Sequence, residues 1–388
     1  MLDFFLRSRA LVPGMNRAQR HIRVTVSRRA FADNIRVLRA HVAPSKLCVV
    51  MKSDAYGHGL EALLEAAIDA GADRLGICTN DEAAVIRRRY PLQPVMRLRM
   101  ALPDELEEAA ERLDVEEVIG SREAAEFLAR LGRRRGRPIA VHLKIDTGMG
   151  RTGFLVDDGE SVRRVCGLQG LQVRGIMTHL PSADAPSPNG TRTQLAEFHD
   201  FVAGLDDVLP DGVLVHSHNS AATVRLPELR RDMVRVGAAC YGVRTSRHFR
   251  NLDDLRPVMS IISRVMEVRH VPEGRTIGYG SLFRTARSSR IATLPVGFGE
   301  GYPRALFNKG VVLIKGHRCP VVGRVSLNVT TVDTTDVPAE ICWGDEAVLV
   351  GKQGREEMTF EELADLFDGV HTEINLMAGR FNRPEYVD

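Results

Sequence analysis

The sequence predicts an α/β chain: an N-terminal (β/α)8 TIM-type barrel followed by a β-rich C-terminal domain. Three observations predict it. From about Arg28 to Val243, eight short apolar runs alternate with amphipathic helical stretches, and eight such units in roughly 215 residues suit a closed parallel barrel. No G-x-G-x-x-G follows the first run, which weakens an open dinucleotide-binding sheet. After about Leu255 apolar–polar alternation takes over, with turns at Pro272-Glu273-Gly274, Lys315-Gly316 and Lys352-Gln353-Gly354.

The predicted barrel strands are Leu47 to Met51, Arg74 to Cys78, Val95 to Leu98, Val115 to Ile119, Ile139 to Ile145, Leu171 to Met177, Gly212 to Ser217 and Met233 to Ala238. Helical patterns fall at Leu60 to Ala70, Asp81 to Arg89, Pro103 to Arg112, Ser121 to Leu131 and Thr191 to Leu205, with Asp81, Ser121 and Thr191 where an N-cap is wanted. Beyond the barrel a single helix stands out, Phe360 to Phe367, ended by Gly369. The expected division is a loose extension over residues 1–20, a barrel domain over 21–254 and a β-domain over 255–388.

Composition narrows the function classes. With 388 residues, 44% hydrophobic and 27% charged, this is an ordinary globular composition. A net charge of +3, with basic clusters at helix ends (Arg87 to Arg89, Arg133 to Arg135), gives no nucleic-acid footprint. The six cysteines, at 48, 78, 166, 240, 319 and 342, have no CxxC or metal-ligand spacing, so no metal and a reducing, cytoplasmic setting are expected. Leu2 to Leu6 is too short for a signal-peptide core or a membrane span.

In a (β/α)8 barrel the active site forms at the C-terminal ends of the strands. The first strand delivers Lys52 and then Tyr56, in Lys-Ser-Asp-Ala-Tyr-Gly-His-Gly. Only six of the 53 basic residues are lysines, so an amine at this strand end asks for a reason. An amine can shift its pKa and bond to a carbonyl carbon, which a guanidinium cannot. The bland alternative is a lysine that snorkels from a strand end. The fifth strand delivers Lys144, Asp146 and the loop Thr147 to Arg151. The sixth delivers Thr178 and His179, the seventh His218, Asn219 and Ser220, and the eighth Arg235 before Gly237. A lysine with hydroxyls, backbone N–H groups and a helix start can hold a phosphate and an aldehyde, which points to pyridoxal phosphate.

These residues carry a resemblance. The segments Val49 to Gly59, Lys144 to Arg151, Thr178-His179, His218 to Thr223, Met233 to Gly237, Gly278-Tyr279-Gly280, Pro295-Val296-Gly297 and Val322-Gly323-Arg324 stand in the order and spacing of the alanine racemase family, the fold-type III pyridoxal-phosphate enzymes. The resemblance runs from about His21 to Arg383. It implies a homodimeric pyridoxal-phosphate racemase that interconverts the L and D forms of an amino-acid substrate. Lys52 resembles the lysine that bonds to the cofactor and serves as one catalytic base. Tyr279 resembles the other base, brought to the opposite face by a neighbouring subunit. Two bases on opposite faces are what racemisation needs. Each has to be tuned down from a pKa of roughly 10, and His179 and Arg235 are the cationic candidates for doing so.

The same resemblance makes Arg235 the arginine facing the pyridine nitrogen, which it would leave largely unprotonated. It makes Tyr56, Ser220, Gly237 and Ala238 the phosphate cup, with His179 beside the cofactor and Asn219 in support. Arg151 and the backbone at Leu327 would receive the substrate carboxylate. Lys144 matches a lysine that is carbamylated in some members and orients Arg151. Three plainer readings stay open from the residues alone: Tyr279 capping a turn, Arg235 in a buried ion pair, and Lys144 paired with Asp146 at the surface.

Four positions depart from the alanine-specific pattern. Phe298 replaces a channel tyrosine, Leu327-Asn328 replaces Met-Asp, and Thr372 replaces a second phosphate-binding tyrosine. Losing hydroxyls and a carboxylate widens the channel and makes it less acidic, so Phe298 and Asn328 are expected to set specificity, towards serine or larger polar amino acids as well as alanine. The chain reads closer to the broad-specificity branch. The competing functions are a pyridoxal-phosphate amino-acid decarboxylase of the same plan and a non-catalytic pyridoxal-phosphate carrier.

Overall fold

A computed structural model describes residues 21–244 and 252–388. The expected N-terminal extension, 1–20, lies outside the described residues. The chain divides into two compact units. One comprises Thr25–Ser260 with Thr359–Asp388, and the other Ile261–Met358 with residues 21–24.

All eight predicted barrel strands form in the first unit. They are β1 (Lys46–Val50), β2 (Arg74–Ile77), β3 (Val95–Arg97), β4 (Glu117–Ile119), β5 (Ile139–Asp146), β6 (Leu171–Met177), β7 (Leu214–His216) and β8 (Met233–Val236). Hydrogen-bonded neighbours run β8-β1-β2-β3 and β4-β5-β6-β7, every pair parallel. Met96 bridges Glu116 to join β3 to β4. Bonds from Asp232 N to Val215 O (3.1 Å) and Arg235 N to His218 O (2.9 Å) join β7 to β8 and close the ring. Near-continuous apolar runs form these strands because a parallel sheet is buried on both faces.

Inside the ring Cys48, Met96, Val118, Met177 and Met233 pack together. Outside it, β5 contributes Ile139, Val141, Leu143 and Ile145 to a core shared with Leu128 and Val162. Those two come from the helices Arg122–Arg134 and Gly159–Cys166, the second of which the sequence pattern did not reveal. Also unforeseen is Arg28–Val42, capped by Ser27, which buries Phe31, Ile35 and Leu38. Two caps move: Thr79, not Asp81, caps Asn80–Arg89, and the fifth predicted helix begins at Asn189, before Thr191.

The second unit is β-rich, as expected. A hairpin of Val311–Ile314 and His317–Pro320 pairs on through Glu346–Gln353, all antiparallel. A separate sheet holds Glu267–Val271, Ser289–Leu294 and Thr330–Asp333. Residues 359–388 group with the barrel unit, and beside the expected helix, Phe360–Asp365, they form a second one, His371–Phe381.

Candidate active site

The C-terminal strand ends surround a cavity of about 350 Å³, within the roughly 300–1,000 Å³ usual for small-molecule sites. It is lined by Lys52 and Tyr56 after β1, Lys144 and Arg151 from β5 and its loop, and His179 after β6. Asn219 and Ser220 follow β7, and Arg235, Gly237 and Ala238 come from β8 and its end. The barrel-domain residues expected to hold or support cofactor and substrate are therefore brought to one place, whereas Asp146, Thr147, Thr178 and His218 do not line it. Tyr279, Phe298, Leu327 and Asn328 belong to the other unit.

The backbone after Lys52 is unusual. Ser53, Asp54, Ala55 and Tyr56 all have φ between 53° and 55°, a left-handed turn built without glycine. Each such residue costs about 1–2 kcal/mol. The turn ends at Gly57, φ 79°, where an added Cβ would lie 2.5 Å from the Asn375 carbonyl oxygen. The carboxylate of Asp54 accepts from Leu60 N at 2.7 Å, starting the next helix. The turn swings Tyr56 back beside the lysine, whose Nζ is 5.9 Å from the ring centre. Burial pushes the Tyr56 phenol up, so it stays protonated and able to donate.

The phosphate cup is also built from close approaches. Ser220 Oγ accepts from Gly237 N at 3.0 Å, and a Cβ on Gly237 would fall 2.6 Å from the Tyr56 hydroxyl. Asn219 caps the short helix after β7, accepting from Ala222 N at 3.1 Å and donating to Leu180 O at 3.0 Å. His371 and Thr372 complete the lining from the start of their helix.

Arg235 is buried, and its partners are neutral acceptors: the carbonyls of Thr178, His216 and Ser217 and the Nδ1 atoms of His216 (2.9 Å) and His179 (3.5 Å). It is not the ion-pair arginine that one reading allowed. Since a guanidinium only donates, its bond to His216 Nδ1 fixes every proton in a buried chain. His216 Nε2–H then donates to His142 Nδ1 at 2.9 Å, and His142 Nε2–H to Glu116 at 3.0 Å. Arg74 closes the chain with two bonds to Glu116, at 2.5 and 2.8 Å. Burial and Arg235 hold His216 far below the ordinary histidine range, so it stays neutral. Burial lowers Arg235 itself to about 10, still charged at neutral pH.

Two expectations are corrected here. His179 cannot serve as a cation beside the bases, because burial and the charge of Arg235 lower it to about 3. Arg235 remains as the cationic candidate. Lys144 makes no surface pair with Asp146. It is buried and donates to Thr152 Oγ1 at 2.7 Å, and burial together with Arg151 lowers it to about 8. The Asp146 carboxylate instead accepts from the backbone N–H groups of Gly148, Met149, Gly150 and Arg151, at 2.8–3.1 Å. It thereby shapes the loop that presents Arg151. Burial would raise that carboxyl, but the four donors outweigh it and hold it down.

In the second unit Tyr279 stands in the turn between Thr276–Ile277 and Phe283–Arg284, 72% exposed. Asn328 Nδ2 donates to Glu300 at 2.6 Å, and the other Glu300 oxygen accepts from Gly297 N at 2.9 Å. Phe298 N donates to Ser326 O, so the Phe298 and Asn328 loops are tied together.

Residues 26–245 match the family model for the alanine racemase N-terminal domain, and residues 258–385 match that for the C-terminal domain. The chain belongs to the alanine racemase family. Members of this family are pyridoxal-phosphate-dependent isomerases. Among the similar proteins are a broad-specificity amino-acid racemase of Pseudomonas taetrolens and an alanine racemase of Symbiobacterium thermophilum. The first is 37% identical, over 92% of this chain and 88% of its own length; the second is 40% identical, over 89% and 91%. The alanine racemase structure from Streptomyces lavendulae has a TM-score of 0.87 at 32% identity, over 95% of this chain and 97% of its own. That from Bartonella henselae, with covalently bound pyridoxal phosphate, also has a TM-score of 0.87, at 26% identity over 95% and 100%.

The residues present fit this cofactor. A lysine amine, a cup of hydroxyl and backbone N–H groups and a buried guanidinium are spaced around one cavity, with Tyr56 filling the gap that only a glycine at 237 leaves. Sequence reading missed four participants. Glu82, His371 and the His142–His216 pair had no motif beyond a Thr-x-x-Glu capping box at Thr79 to Glu82.

Proposed function

We propose that this chain interconverts the L and D forms of free amino acids with pyridoxal phosphate held at Lys52. The observation that carries the reading is the cavity gathering Lys52, the Tyr56–Ser220–Gly237 cup, Arg235 and Arg151 at one barrel mouth. When bound, the cofactor accepts the electron pair left behind as the α-proton departs. Lys52 would hold it and, once its amine is free, move that proton on one face. Tyr279, contributed by a second copy of the chain, moves it on the other. Arg235 would face the ring nitrogen and keep it from taking a proton, while Arg151, held by the Asp146 loop, would bind the substrate carboxylate by its two-pronged geometry. Ser220, Tyr56 and the backbone of Gly237 and Ala238 hold the phosphate.

We assign a substrate range wider than alanine, supported by Phe298, Leu327 and the Asn328–Glu300 contact, and a cytoplasmic homodimer. The decisive experiment is chiral chromatography after incubation of the loaded protein with each common L-amino acid. D-forms of polar or basic amino acids are expected. D-alanine alone would overturn the wide range, and amine with carbon dioxide would turn the assignment to decarboxylation. Tyr279→Phe tests the two-base reading: solvent deuterium should enter one enantiomer at least tenfold more slowly and the other far less so. Equal slowing of both would remove Tyr279 from its role.

A further inference from the structure

We infer that Glu82 is the positioning residue for Lys52, acting by holding the left-handed turn that follows it. The inference rests on Lys52 being the cofactor lysine, as proposed above. Four successive non-glycine residues at positive φ are held against their own preference. Within the turn Ala55 N bonds to Met51 O, and Gly57 N to Ser53 O. The N–H groups of Ser53 and Asp54, the first two residues after the lysine, point away from those bonds. Both donate to Glu82 Oε1, at 2.5 and 3.4 Å.

The other oxygen, Oε2, accepts from Cys78 N at 2.7 Å and Thr79 N at 3.2 Å, where β2 ends. One carboxylate, 9% exposed, thus fastens the ends of β1 and β2 together through four backbone donors. Capping explains only half of this. Glu82 is the third residue of the helix that Thr79 caps, and in a capping box its side chain need reach only the Thr79 backbone. The bonds from Oε1 serve the lysine turn. Four N–H donors require an acceptor at both oxygens, which an ionised carboxylate supplies and a carboxamide does not.

The test compares Glu82→Gln with Thr79→Ala, which removes the cap bond to Glu82 N (3.3 Å) and leaves the lysine turn alone. Two readouts are taken: the dissociation constant for pyridoxal phosphate, and, in cofactor-free protein, the rate at which formaldehyde and borohydride methylate Lys52, followed by peptide mass spectrometry. Glu82→Gln is expected to weaken cofactor binding at least tenfold and to change Lys52 methylation at least threefold. Thr79→Ala should leave both within twofold even where it lowers the melting temperature. Glycine adopts positive φ freely, so Glu82→Gln with Ser53→Gly is expected to fold and to recover both readouts to within threefold of wild type. Equal losses in Thr79→Ala, wild-type readouts in Glu82→Gln, or a double variant that stays unfolded or defective would each overturn the inference. Wild-type protein that binds no pyridoxal phosphate at Lys52 would overturn the cofactor assignment instead, and the methylation rates would still judge Glu82.

Discussion

At the scale of single residues, donor and acceptor inventories decide the chemistry. Arg235 has only protons to give, so His216 must receive at Nδ1, and the tautomers down to Glu116 follow. A lysine at 235 would offer one ammonium in place of the fork that meets both imidazoles. Lys52 has the complementary property, since its amine can bond to an aldehyde and later move a proton. Lys52→Ala should therefore abolish racemisation. Borohydride treatment of the loaded variant should leave no pyridoxyl group on the chain by mass spectrometry. A pyridoxyl adduct at another lysine, with turnover retained, would refute the role.

Elements set how accurately those residues are aimed. The turn after β1 is costly locally and is kept by its surroundings: Glu82 on two N–H groups, Asp54 on the next helix, and Gly57 against the backbone of Asn375. Gly57 is needed twice over, for φ of 79° and for the 2.5 Å approach that leaves no room for a Cβ. Gly57→Ala should lower unfolding stability by at least about 2 kcal/mol, from the left-handed penalty plus the displaced helix His371–Phe381. Urea denaturation measures it. A loss below about 0.5 kcal/mol would mean that the backbone relaxes freely there. The same displacement moves His371 and Thr372, so cofactor affinity should fall with stability.

Across the whole molecule, buried neutral histidines contribute to the pH response. His58, His218 and His371 are lowered to about 4, and His179 to about 3, in each case first by burial. Bonds to carbonyls pull the other way in two of them, from His58 Nδ1 to Ala55 O and Tyr56 O and from His218 Nε2 to Leu226 O, and burial outweighs them. Between their folded values and about 6.5 the unfolded chain binds protons that the folded chain does not, so stability rises with pH in that window and falls as pH drops through it. Cofactor-free protein should lose melting temperature steadily from about pH 6.5 towards pH 4, and His371→Gln should flatten the slope. A constant melting temperature from pH 7 to pH 5 would show that these rings take up protons without unfolding. Among the described residues no helix is long and apolar enough to cross a membrane.

The barrel, its eight strands, the β-rich second unit and the residues at the strand ends were legible in the order of residues, because apolar periodicity and short motifs are local. Lys52, Arg151, Ser220 and Arg235 were assigned to the barrel mouth this way, Lys52 and Ser220 just past predicted strands, Arg151 in a loop and Arg235 within a strand, and all four line the cavity. Folding decided what depends on contacts between distant segments. Glu82 reaches Ser53 across 29 positions and His142 reaches His216 across 74, and neither pairing leaves a periodic trace. The grouping of 359–388 with the barrel is of the same kind, since two amphipathic helices near a chain end do not state which core they cover. Charge was decided there too: a histidine beside a strand reads as a cation candidate until burial and a neighbouring guanidinium, both products of the fold, remove its proton.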